Sequence, residues 1–137
     1  MNALILAPFL LLLAFGGHAI CDYGQQSAYM AEFKVRSERN PDWFVTLAAH
    51  CLIHAVVVGV IAFGTLAALV LVRGVGSLQT ALVVGSVLGW LEFGLHFAID
   101  DAKGQKRFSY RVDQAIHYGC KVAWVAVILA VAAGAGA

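Results

Sequence analysis

Hydrophobic residues dominate four stretches of the chain, and each is long enough for a membrane-spanning helix, which needs about 20 residues. The pattern predicts helices over residues 2–33, 42–72, 78–101 and 110–136. Short polar loops separate them, so consecutive helices must run in opposite directions. The sequence therefore predicts an all-α membrane protein, a four-transmembrane-helix antiparallel bundle that forms one domain over residues 1–137.

Residues between the stretches support these boundaries. Pro41 suits the first turn of a helix, and Trp43 is typical of a membrane interface. Gly74 suits the position just past a helix end, and Ser77 suits the N-cap of the next helix.

Polar residues interrupt each apolar stretch at intervals of four. Residues four apart lie on one face of an α-helix, so each set predicts a polar stripe. The stripes are His18, Asp22 and Gln26; His50 and His54; Glu92, His96 and Asp100; and Asp113, His117 and Lys121. All five histidines of the chain belong to them.

The stripes occupy matching ends of the predicted helices. The first and third helices carry them at their C-terminal ends, and the second and fourth at their N-terminal ends. Because the helices alternate in direction, all four stripes should reach one membrane face at similar depth. We therefore expect them to meet in one pocket, since ionisable groups facing lipid would be costly.

Composition and charge narrow the function classes. The chain is 61% hydrophobic and 12% charged, whereas soluble domains carry about 25% charged residues. This composition predicts that the lipid bilayer surrounds the protein. The formal net charge of +1 argues against a nucleic-acid partner. Cys21, Cys51 and Cys120 lack CxxC spacing and are predicted to be reduced and structural, with thiolate ligation as the alternative.

Basic residues predict the orientation. The stripe-side loops and helix ends carry Lys34, Arg36, Arg39, Lys103, Lys106, Arg107 and Arg111. The opposite side carries Arg73. The positive-inside rule places the stripes at the cytoplasmic face and both termini outside, in a multi-pass arrangement.

Imidazole and carboxylate groups at helical spacing point to metal binding. The predicted ligands are His18, Asp22, His50, His54, His96, Asp100, Asp113 and His117. They exceed the four ligands of a tetrahedral zinc site, so either two ions bind or some members hold the ligands by hydrogen bonds. We expect a divalent metal, with zinc favoured. The alternative is a structural hydrogen-bond network without metal.

A metal-dependent membrane hydrolase acting on a lipid-linked or amphipathic substrate is the leading functional hypothesis. A bound ion would activate water, and the predicted proton acceptors are Glu92, Asp22 and Asp113. Four flanking residues are predicted to support the bound groups: Gln26, Gln114, Lys34 and Lys103. The glutamines would hydrogen-bond the ligands. The lysines could either extend to the membrane surface or capture an anionic head group or phosphate.

Other readings stay open. A metal-ion transporter or channel would need the stripes to continue across the membrane, but the opposite helix halves are apolar. A small membrane interaction protein with a structural metal is the third hypothesis.

The roles of several other residues have two interpretations. Lys121 could extend to the surface or pair with Asp113. Gly85, Gly89 and Gly94 allow close helix approach, either inside the bundle or in a homo-oligomer.

These residues resemble a family of bacterial and phage integral membrane proteins designated domain of unknown function 3307. The similar blocks are His18–Gln26, His50–His54, His96–Lys103 and Asp113–His117, in that order, and Lys34 falls at the basic end of the opening block. Gly24 departs from the family's bulky residue or Pro. The resemblance implies a compact multi-helix protein of the bacterial inner (cytoplasmic) membrane, often phage- or prophage-linked. It implies no activity.

Overall fold

The computed structural model describes residues 3–38 and 40–135, and over these residues the chain forms five α-helices. They are α1 (Ala3–Ala19), α2 (Ala28–Phe33), α3 (Trp43–Arg73), α4 (Leu78–Gly104) and α5 (Tyr110–Gly134). A π-helical turn, Ile20–Gly24, extends α1. Arg39, which we assigned to a basic loop, lies outside the described residues, as do the outermost residues of the first and last predicted helices.

Four segments are long and apolar enough to cross a membrane: Ile5–Gly24, Trp43–Arg73, Leu78–Gly104 and Tyr110–Gly134. Large apolar side chains cover their outer surface, among them Leu12, Val72 and Trp90. Such a surface is unfavourable in water and suits contact with lipid tails. The predicted all-α class with four apolar spans is confirmed.

The long helices pack as a ring in chain order. α1 contacts α3 and α5, and α4 contacts α3 and α5. His50 near the start of α3 lies against His96 near the end of α4, so these two helices run antiparallel.

Glycines bring α3 and α4 close together. A Cβ atom on Gly85 would lie 2.9 Å from the Gly59 carbonyl oxygen, and one on Gly89 would lie 3.1 Å from the Ala55 carbonyl oxygen. Gly85 and Gly89 therefore serve packing inside the bundle. A Cβ on Gly94 would meet nothing within 4 Å in the described chain.

The turn and cap predictions are confirmed at the start of α4. Gly74 has φ +67°, the left-handed conformation that ends α3. The Thr80 amide donates to Ser77 Oγ over 3.0 Å, so Ser77 caps α4. Ser109 caps α5 in the same way, with a 3.4 Å bond from the Val112 amide.

The first predicted helix differs from the expected continuous span over residues 2–33. The Gln25 amide donates to the Ile20 carbonyl, five residues back, over 2.8 Å, which closes the π-helical turn. The chain then leaves the helix, and Ser27 accepts from the Met30 amide to start α2 afresh. A side-chain cap thus competes with helix continuation here, because it satisfies an amide that helix continuation would otherwise bond.

Apolar side chains fill the bundle away from the stripes. The core includes Leu6, Leu10, Val58, Leu66, Leu88, Val125 and Ile128. The buried ionisable residues lie at one end of the bundle, and this apolar core separates them from the other end.

Candidate metal centre

The five imidazole rings of the chain lie against one another in the bundle. Ring centroids are 3.9 Å apart for His54 and His96, 4.1 Å for His96 and His117, and 4.7 Å for His50 and His54. His18 lies 5.1 Å from His54 by the same measure. All five are at most 1% exposed. The structure therefore brings the histidines of all four stripes together; their role as ligands stays a prediction.

Four side chains from three segments form the most complete set of potential ligands. Asp22, His50, His54 and His96 each offer one atom, and these atoms lie within 4.8 Å of one another. Asp22 Oδ1 is 3.1 Å from His54 Nε2 and 3.5 Å from His50 Nε2. His50 Nε2 is 3.3 Å from His96 Nε2. Ligands about 2.0–2.1 Å from a tetrahedral zinc lie about 3.3 Å apart, so these spacings suit one ion.

A second set, His96, Asp100 and His117, adjoins the first and shares His96. Asp100 Oδ1 is 3.2 Å from His117 Nε2, and Asp100 Oδ2 is 3.5 Å from His50 Nε2. The Asp100 carboxylate therefore faces both sets. This geometry is compatible with two ions, and equally with one ion whose ligands are held by neighbouring carboxylates.

Several imidazole nitrogens lack hydrogen-bond partners among the described residues. They are His18 Nε2, His50 Nδ1 and His54 Nε2. His54 Nε2 is near Asp22 Oδ1 but not aligned for a hydrogen bond. A buried polar atom without a partner costs about 1–3 kcal/mol. Of these three atoms, His54 Nε2 lies at the converging ligands, beside Asp22 Oδ1. A cation accepting its lone pair would remove that cost, so the first set fits a divalent metal.

Asp22 lies within the π-helical turn that extends α1. Its carboxylate lies 3.4 Å from His18 Nε2, four residues earlier on the same segment, as the spacing of the first stripe predicts. The same carboxylate lies near both histidines of α3, so Asp22 links the first segment to α3.

A buried ion pair between Glu92 and Lys121 lies between the histidine cluster and the apolar core. Glu92 Oε1 lies 3.1 Å from His96 Nδ1 and accepts a hydrogen bond from Lys121, while the Trp124 indole donates to Glu92 Oε2 over 2.7 Å. Lys121 is 1% exposed. Both readings of Lys121 were therefore wrong: it neither extends to the surface nor pairs with Asp113. The indole of Trp124 was also missed, although a Trp N–H within an apolar segment signals a buried acceptor.

Partly exposed lysine side chains border the cluster. Lys34 Nζ donates to Asp100 Oδ2 over 2.7 Å, and Lys103 Nζ lies 3.4 Å from Asp113 Oδ2. Asp113 Oδ1 is 3.4 Å from His117 Nε2, so this acid reaches the cluster through His117.

The two predicted supporting glutamines differ. Gln114 Nε2 donates to Asp22 Oδ2 and to Asp113 Oδ2, each over 3.2 Å. Gln26 lies in the unwound segment after the π-helical turn, and within residues 3–38 and 40–135 it makes no hydrogen bond to the cluster. Gln114 therefore joins α1 to α5 at the site, and Gln26 does not.

Neither set of potential ligands in the described chain contains a cysteine. Cys21 and Cys51 are buried free thiols, and Cys120 is a half-buried one. This arrangement agrees with the structural reading of the three cysteines.

These features define a class: a helical membrane protein with a candidate His/Asp metal centre at one end of a four-helix bundle. The chain belongs to the family described as Protein of unknown function (DUF3307), whose profile matches residues 8–135. The resemblance inferred from the four polar blocks is confirmed. The bacterial or phage origin that it implies stays a prediction.

No significant match to the chain was found among curated proteins or solved structures. The functional interpretation therefore depends on the geometry of the site.

Proposed function

We propose that this protein is a metal-dependent membrane hydrolase that cleaves a lipid-linked or amphipathic substrate. The observation that carries the proposal is the convergence of ligand atoms from Asp22, His50, His54 and His96 within 4.8 Å of one another. A divalent ion, with zinc favoured, would supply a Lewis acid and an activated water there.

The surrounding acids suit different roles. Glu92 is suited to orient His96 rather than to accept a proton, because hydrogen bonds from His96, Lys121 and Trp124 already occupy its carboxylate. Asp113 Oδ1 has no aligned hydrogen-bond partner among the described residues, so it is better placed than Glu92 to accept a proton. Asp22 serves as a ligand in this scheme.

The position of the site supports an amphipathic substrate. The cluster lies at one end of the bundle, where Lys34, Lys103 and Gln114 border it. At this level a molecule anchored in the bilayer can present its polar part. We place this end at the cytoplasmic face, as the basic loops predict. Beyond the cluster the bundle is apolar, which disfavours a metal-ion pathway through the protein.

Turnover by purified protein in detergent micelles tests the proposal. Metal-loaded protein is assayed against acyl-chain substrates bearing a carboxylic ester, a phosphomonoester or a phosphodiester. We expect turnover of one class that a chelator abolishes and added metal restores. His54→Ala should remove it, whereas Arg73→Ala, at the opposite end of α3, should retain it. Fully metal-loaded protein that cleaves none of these bonds would contradict the hydrolase assignment.

A second candidate function is supported by the burial of the cluster. Side chains of the histidines are at most 2% exposed, and that of Asp22 is 13% exposed. A closed site of four protein ligands is typical of structural zinc. A small membrane interaction protein whose fold the metal stabilises would show this geometry. In that case chelation should lower the melting temperature, and no substrate should turn over.

A further inference from the structure

Two partly exposed lysines border the site, and each is held by a carboxylate that also contacts His117. Lys34 pairs with Asp100, and Lys103 pairs with Asp113. The Lys34 side chain is 12% exposed and that of Lys103 is 34% exposed. Both ammonium groups therefore lie between the buried histidines and the surface.

The net charge of the groups around the site indicates which kind of ligand the site can accept. The linked network contains four carboxylates, Asp22, Glu92, Asp100 and Asp113, and three ammonium groups, Lys34, Lys103 and Lys121. With neutral imidazoles, which metal ligation requires, the network carries one negative charge. A divalent ion reverses this to one positive charge. The loaded site then lacks one negative charge, which favours an anion in a low-dielectric setting.

A metal ion held by Asp100 would share this carboxylate with Lys34. Asp100 Oδ2, which accepts from Lys34, lies 3.5 Å from His50 Nε2. A carboxylate that donates charge to a metal holds an ammonium group less strongly. An ion held by Asp100 would therefore weaken the Lys34–Asp100 pair and leave the Lys34 ammonium group available to an anion.

Building on the proposed function, we propose that Lys34 and Lys103 bind the phosphate group of a phosphate-ester substrate in the metal-loaded protein. A phosphate has several oxygens and can accept from two ammonium groups on separate segments at once. Lipid phosphate is also the anion that a bilayer itself places near the ends of its spanning helices. Lysines that only extend to the membrane surface would bind phosphate equally well with and without bound metal.

Binding by zinc-loaded protein in neutral detergent tests this inference. The probes are dihexanoyl phosphatidic acid, inorganic phosphate and hexanoate, each titrated calorimetrically into protein freed of excess zinc. Lys34→Gln with Lys103→Gln is the test variant. Lys106→Gln with Arg107→Gln is a control that removes the same charge from the neighbouring loop. Zinc content is measured on every sample.

We expect the test variant to keep its zinc and to bind phosphate at least about tenfold more weakly, with the control unchanged. Tighter binding of phosphatidic acid than of inorganic phosphate identifies a lipid head group, and equal binding identifies free phosphate; both support the inference. Unchanged phosphate affinity in the test variant, or equally tight hexanoate binding, overturns it and leaves the metal site standing. If the wild-type protein retains no zinc after loading, the proposed function is overturned as well.

Discussion

Glu92 Oε1 lies 3.1 Å from His96 Nδ1, one helical turn apart on α4. A carboxylate in this position holds the proton on Nδ1 and leaves the lone pair on Nε2, the atom that faces His50. Glu92 is itself held by Lys121 and Trp124 on α5. The orientation of the central imidazole thus depends on two helices.

The buried Glu92–Lys121 pair gives a stability prediction. Glu92→Gln leaves the Lys121 charge buried without its partner and should lower the free energy of unfolding by about 3–5 kcal/mol. Unfolding by denaturant titration in mixed micelles measures this. Glu92→Gln combined with Lys121→Met removes both charges and should recover most of the loss. A double variant as unstable as the single one would contradict the pairing.

Gln114 provides a test of the groups around the ligands. It donates to Asp22 and Asp113, so Gln114→Ala should weaken metal binding about tenfold to a hundredfold by freeing Asp22 to rotate. Competition with a metal indicator measures the affinity. Gln105→Ala is the matched control, because Gln105 donates to Asp101 at the exposed end of α4. Equal affinities in the two variants would place Gln114 outside the metal centre.

Alanine substitutions at Gly85 and Gly94 on α4 provide a test of helix packing and its matched control. Gly85→Ala would drive a methyl group against the Gly59 carbonyl oxygen and Phe63, and should destabilise the protein by about 1–3 kcal/mol. Gly94→Ala meets nothing within 4 Å and should be neutral or mildly stabilising. Thermal unfolding in detergent compares them. A destabilising Gly94→Ala would instead point to a helix contact outside this chain.

Orientation in the membrane can be tested at two turns. A phosphatase reporter fused after Val75 should be active, because that turn is predicted to lie outside, and one fused after Gln105 should be inactive. The opposite activities would reverse the orientation and place the metal centre at the outer face.

Much of this arrangement could be predicted because helix direction and stripe position are both visible in the sequence. The four-residue spacing of Glu92, His96 and Asp100 selects one helix face, and alternation of direction brings such faces together. The π-helical turn at Asp22 could not be predicted in this way, since a one-residue insertion into the helical repeat leaves no hydrophobic signal. Gln26 lies beyond the end of this turn, and its supporting role stays a prediction.

The partner of Lys121 was also beyond the sequence pattern. Lys121 and Asp113 share a face of α5, so the pattern left their pairing open beside extension of Lys121 to the surface. The rotation and tilt of α5 against α4 bring Glu92 closer instead. Those quantities depend on how side chains such as Val125 and Ile128 pack in the core, which periodicity alone does not determine.

The metal content of purified protein tests the central claim most directly. Wild-type protein, purified in detergent without chelator and analysed by elemental mass spectrometry, should carry at least one divalent ion per chain, with zinc favoured. His54→Ala, which removes one of the four converging ligands, should lose that ion, and Arg73→Ala should keep it. Wild-type protein free of divalent metal even after incubation with zinc would contradict the claim, as would a His54→Ala variant that retains the full wild-type amount.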